Sequence, residues 1–136
     1  MTDASRLARL RKMAEENPHD ELINFSLGNA LLHADQVSEA AECFQRVLAL
    51  NPRNSKAYQL LGETQVRCDQ AKFAVQTLTN GYRVAQRQGD MMPMKAMAEM
   101  LKETLLEELK HLSKVKTDKL IERRIEKFSK MGAWAG

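Results

Sequence analysis

Apolar residues recur along this chain at intervals of three and four, the spacing that gathers them on one side of an α-helix. Val37, Ala40, Ala41, Phe44, Val47 and Leu48 form the clearest such stripe. The pattern predicts helices over about 4–16, 20–34, 36–50, 54–68 and 70–87. Asn17-Pro18 and Asn51-Pro52 punctuate it, because the residue before a proline is pushed out of the α region and closes a helix. Asp20, Asn54 and Ser55 can then cap the helices that follow. Asp35-Gln36 and Asp69-Gln70 mark turns between paired helices, with the aspartates expected to cap the second member of each pair. An all-α chain of helical hairpins is the expected fold.

The hairpins are copies of one another. Sliding residues 17–50 over 51–84, an offset of 34, matches Asn17 with Asn51, Pro18 with Pro52, Leu27 with Leu61 and Gly28 with Gly62. It also matches Asp35 with Asp69, Gln36 with Gln70 and Ala40 with Ala74. A glycine inside a helix costs about 1 kcal/mol against alanine, so Gly28 and Gly62 imply a close neighbour that a side chain would obstruct. Ala40 and Ala74 are expected to face them across each hairpin.

This unit resembles the tetratricopeptide repeat, a helix-turn-helix of 34 residues. Asn24, Leu27, Gly28, Leu31, Ala40, Phe44, Val47 and Pro52 fill the family's signature slots in the first copy. Tyr58, Leu61, Gly62, Gln65, Ala74, Leu78, Gly81 and Gln86 fill them in the second, where Gln86 replaces proline. Upstream, Leu10, Met13 and Pro18 fit the end of a preceding unit, so residues 4–16 read as a half repeat. The resemblance implies an all-α solenoid of stacked hairpins: two full repeats, a half repeat before them and longer capping helices after. It further implies a concave surface lined by the first helix of each repeat, holding a peptide or partner helix. The residues carried over to that groove are Leu22, Phe25, Asn29, Leu32 and His33 from the first repeat. Lys56, Gln59, Glu63, Val66 and Arg67 are carried over from the second. Some family members clamp the C-terminal carboxylate of heat-shock chaperones with Lys, Asn and Arg. Here only Asn29 keeps its slot, with Phe25, Leu60, Asp90 and Met94 in the others, so a chaperone-tail adaptor is not expected.

Beyond residue 88 the repeat fails. A longer helix is expected from Asp90, with Pro93 in its first turn and a stripe of Met94, Met97, Leu101, Leu105, Leu109 and Leu112. This stripe is expected to fill core against the preceding hairpin, because solenoid ends need a cap. The surrounding stretch, RQGDMMPMKAMAEMLKE, also resembles repeat segments accompanying bacterial iron-trafficking proteins, without metal-binding spacing. Residues 110–130 carry eight Lys and Arg against Asp118, Glu122 and Glu126, a net of +5. Leu120, Ile121, Ile125 and Phe128 share a face there, which makes a basic amphipathic helix. Its apolar face can pack within the fold or in a homodimer, its basic face can meet an acidic partner protein, and nucleic acid or a membrane surface is the least expected partner. The expected division is therefore a repeat domain with its cap over 1–112 and a basic helix with tail over 113–136. Homo-oligomerisation through the C-terminal helices is the alternative function.

Composition narrows the chemistry. The 136 residues have 43% apolar content, enough for one core, and a net charge of +3. Cys43 and Cys68 are too few for a disulfide framework, and His19, His33 and His111 lack metal-ligand spacing, so neither a metal nor another cofactor is expected. No nucleophile elbow, phosphate loop or carboxylate pair appears, so the chain is expected not to be an enzyme. A nucleic-acid partner is not expected, since Phe128 and Trp134 do not form an interleaved aromatic series. No stretch reaches the roughly 18 apolar residues of a membrane span, and MTDASRLARLRK lacks the apolar core of a secretory signal, which suggests a soluble cytoplasmic protein.

Overall fold

The computed structural model describes residues 2–135, with side chains through residue 127. The described residues form helices and turns, with no strand among them. In order the helices are α1 (Asp3–Glu16), α2 (Glu21–His33), α3 (Val37–Leu50), α4 (Ser55–Arg67), α5 (Ala71–Gln88) and α6 (Met91–Ala135). They fall into two compact units, Met1–Thr104 and Leu105–Gly136, a division that precedes the 112/113 boundary suggested by the pattern.

Short polar residues start three of these helices. Thr2 Oγ1 accepts a hydrogen bond from the Ser5 N–H at 3.2 Å, Asp20 Oδ1 from Ile23 at 3.0 Å and Asn54 Oδ1 from Ala57 at 3.0 Å. Each satisfies a backbone donor that the first turn would otherwise leave open. Asn17 and Asn51 close α1 and α3, their N–H groups donating to Met13 and Val47 carbonyls, and the prolines that follow prevent continuation.

The turns inside the hairpins work differently from the expectation. Asp35 and Asp69 do not cap α3 and α5; the N-cap residues are Gln36 and Gln70, neither making a side-chain cap bond. The aspartates instead adopt left-handed backbone, with φ of 60° and 57°. This lets the Gln36 N–H reach back to the Leu31 carbonyl and the Gln70 N–H to that of Gln65, both at 2.9 Å. Gly89, at φ 73°, ends α5 the same way, with the Asp90 N–H bonded to the Ala85 carbonyl.

α2 pairs with α3 and α4 with α5; α1 packs on α2, α3 on α4, and α2 also touches α4. Leu27, Leu31, Ala40, Cys43 and Phe44 lie at the centre of the first core, with Leu7 and Ala14 of α1 buried beside them. The glycine contact is one turn away from its expected place. A Cβ on Gly28 would meet Phe44 Cε1 at 2.8 Å, and one on Gly62 would meet Leu78 Cγ at 2.7 Å. The glycines are thus notches for large side chains, while Ala40 and Ala74 are simply buried close by. A bulky knob entering the notch removes more apolar area from water than an alanine could, which accounts for the register.

The second core joins Leu78 and Ala85 to Met97, with Tyr58, Met94, Met100 and Leu101 packed around them. The start of α6 therefore caps the second hairpin as its Met stripe suggested. Ser55 Oγ reinforces the junction by donating to Asp90 Oδ2 at 2.7 Å. The expected core role stops short of the end of the stripe, because Leu105, Leu109 and Leu112 are exposed. In the second unit, residues 105–127 are helical with all side chains exposed except that of Glu108, and no new helix begins at 110 or 113. The side chains of Phe128, Lys130 and Trp134 lie outside the described residues.

Candidate partner-binding face

The first helices of the two repeats, α2 and α4, lie against each other and carry all ten residues assigned to the groove. At their N-terminal ends a pocket opens, lined by His19, Asp20, Glu21, Leu22, Phe25 and Asn54. Its shape follows from the Asn-Pro turn. Fully buried Asn24 donates through Nδ2 to the carbonyls of Pro18 at 3.1 Å and Asp20 at 2.8 Å, locking that turn over the start of α2. Glu21 Oε1 accepts from both Asn51 Nδ2 and Asn54 Nδ2 at 2.9 Å, which ties the two repeats together.

Much of the polar rim is therefore already engaged within the chain: Asp20 caps α2, Asn54 caps α4, and Glu21 bridges them. The apolar members are less committed. Leu22 is 73% exposed, and Phe25 is half-buried with its ring edge-on to Phe44 at 5.9 Å between centroids. An exposed leucine beside a braced aromatic edge favours an apolar group from a partner, since covering them removes hydrocarbon surface from water without unpairing any polar group.

The remaining assigned residues spread along the two helices. Lys56 Nζ donates to Gln59 Oε1 at 3.4 Å, and Arg67 pairs with Glu63 at 3.5 Å one turn away. Val66 is 41% exposed. His33 Nδ1 lies 2.8 Å from the Asn29 carbonyl oxygen, a contact that requires the proton on Nδ1. Leu32 is 6% exposed and belongs to the core, so it offers little surface. The structure brings Leu22 and Phe25, both assigned to the groove, into one pocket that His19, Asp20, Glu21 and Asn54, not assigned to it, also line. The signal was present: Asp20 and Asn54 are equivalent caps 34 residues apart, next to the helix starts that the pocket spans.

A second depression lies between α1, α2 and α3, where Arg11 donates to Gln36 Oε1 at 2.7 Å and to Glu39 Oε2 at 2.9 Å. Cys43 lines it, and burial pushes its thiol pKa above the usual range. Among the described residues, no group of three or more His, Cys, Asp and Glu could hold a metal ion. No described helix is long and apolar enough to cross a membrane.

These features agree with what the chain is similar to. A tetratricopeptide-repeat family model matches residues 2–63. A TPR repeat-containing protein of Pseudomonas aeruginosa is 30% identical over 93 residues, which cover 68% of this chain and 89% of the relative. The solution structure of a Bordetella parapertussis protein is 26% identical, covers 77% of this chain and 92% of its own, and superposes with a TM-score of 0.67. The TPR2B domain of yeast Sti1, solved in complex with pHsp70, is 14% identical with a TM-score of 0.68, covering 74% of this chain and 81% of its own. With a 34-residue period, glycine-notched hairpins and these relatives, the chain belongs to the tetratricopeptide-repeat family, whose fold generally mediates protein–protein interaction rather than catalysis.

Proposed function

We propose that the protein is a non-catalytic scaffold that holds a peptide or partner helix against the face made by α2 and α4. The supporting observation is the pairing of highly exposed Leu22 with half-buried Phe25 in one pocket whose rim is already hydrogen-bonded within the chain. An apolar side chain of the partner would sit between them. Gln59 and the Glu63–Arg67 pair on α4 would meet its polar groups further along. A carboxylate-terminated chaperone tail is not proposed, because three of the clamp slots hold Phe25, Leu60 and Met94, and Asp90 would repel a carboxylate.

Photo-crosslinking residues placed at 22, 59 and 76 in the native host would test the reading. Positions 22 and 59 should capture one common partner, whereas exposed position 76 on α5 should not. Leu22→Asp should abolish capture at 59. Equal capture at 76, or none at 22, would overturn the assignment of this face.

A further inference from the structure

The exposed helix of the second unit carries one row that changes character along its length. Leu105, Leu109 and Leu112 are 43%, 61% and 60% exposed, and the same three-four spacing continues through exposed Lys116, Lys119, Arg123 and Lys127. At 3.6 residues per turn these positions fall within a sector of about 80° and run for about 33 Å. None of the four basic residues is in an ion pair within the chain among the described residues; the pair nearby is Lys110 with Glu107, off this row. Small Ser113 and Thr117 border Leu109 in a shallow depression along the side of the row, which leaves room for a neighbour.

The order of the row decides what can cover it. A second copy lying parallel would set Lys116, Lys119, Arg123 and Lys127 against themselves. A second copy lying antiparallel would either bury only the leucines and leave the basic half uncovered, or set leucines against ammonium groups. A phosphate backbone offers nothing to the leucines. A lipid surface wants its basic residues flanking an apolar face along the whole length, whereas here the two follow one another and Ile121 and Ile125 point to the other side. A helix with carboxylates over one half and apolar side chains over the other matches both halves.

We propose that residues 105–127 dock one amphipathic helix of a partner protein, antiparallel, with Glu or Asp in its first half and Leu-like side chains in its second. The antiparallel direction follows from the helix dipole, which favours carboxylates near the partner's N-terminus. This surface is independent of the α2–α4 face and stands or falls separately.

The test uses the full chain and two fluorescent synthetic helical peptides read by anisotropy. One carries Glu and then Leu at three-four spacing; the other carries Leu and then Glu. The first should bind about two- to fivefold tighter than the second, the size of the dipole effect, and added salt should weaken it. Lys119→Glu with Arg123→Glu, and separately Leu109→Asp, should each weaken it about tenfold or more, while Ile121→Asp with Ile125→Asp should change it by less than about twofold. Binding by neither peptide, equal binding by both, or tighter binding of a DNA duplex would overturn the proposal. So would a dimeric mass by light scattering that Leu109→Asp reduces to monomer, which would give the row to a second copy.

Discussion

The helices of residues 21–88 and residues 105–127 both space apolar side chains three and four apart, yet most of the first set is buried and the second is exposed. Phe44 and Leu78 have no exposed surface, whereas Leu109 and Leu112 keep more than half of theirs. Periodicity identifies the side of a helix that wants cover but not what supplies it. In the repeats a second, non-local signal supplies that information: Gly28 and Gly62 are notches, each placed sixteen residues before the side chain that fills it. Among the described residues nothing of the kind follows Leu105.

The contrast is broken most severely by emptying a notch. Phe44→Ala removes the ring that sits on Gly28 and braces Phe25, and should cost about 3–5 kcal/mol in chemical denaturation, against almost nothing for an alanine at 109. Filling the notch comes next. Gly28→Leu should lose about 1–3 kcal/mol through overpacking, and stability equal to wild type would contradict the Phe44 contact. Combining Gly28→Ala with Phe44→Ala sharpens the point. In wild type the added Cβ crowds the ring, but once the ring is gone it should contribute about 1 kcal/mol through helix propensity, so the two changes should be non-additive.

A smaller effect tests the turns. Asp35 carries a side chain in left-handed backbone, so Asp35→Gly should gain about 0.5–1 kcal/mol, and Asp69→Gly should behave alike. Leu109→Asp is the smallest, within about 0.5 kcal/mol of wild type in thermal or chemical unfolding. A larger loss would mean that this leucine is covered within the chain.

Much of the repeat was legible in the sequence because its determinants are local. Asn-Pro breaks, the Asp20 and Asn54 caps and the stripe of α3 all act within one turn of their own position. The misreadings have one cause, choosing among chemically plausible neighbours. Asp35 could cap or turn, and the turn prevailed because the Gln36 N–H finds the Leu31 carbonyl only if Asp35 is left-handed. Ala40 and Phe44 lie one turn apart on the same face, and spacing alone cannot tell which of them faces Gly28. On the candidate face, Leu22 was assigned only through the resemblance to the family, and it is 73% exposed. The burial of Leu32 was not legible, since it depends on the packing of the first hairpin and α1 rather than on its own helix.

The thiol at position 43 turns the first hairpin into its own clock. Cys43 is almost fully buried with its pKa raised by burial, and the thiolate that reagents attack is scarce at neutral pH. In a Cys68→Ser background, the small exposure of Cys43 should make its alkylation depend on local opening around α3, so the labelling rate should track that opening. Any molecule that binds the closed repeats should slow the reaction in proportion to its occupancy, with no knowledge of its identity needed beforehand. A buried cysteine thus doubles as a screening readout for the unknown ligand, measurable by mass shift in a crude fraction.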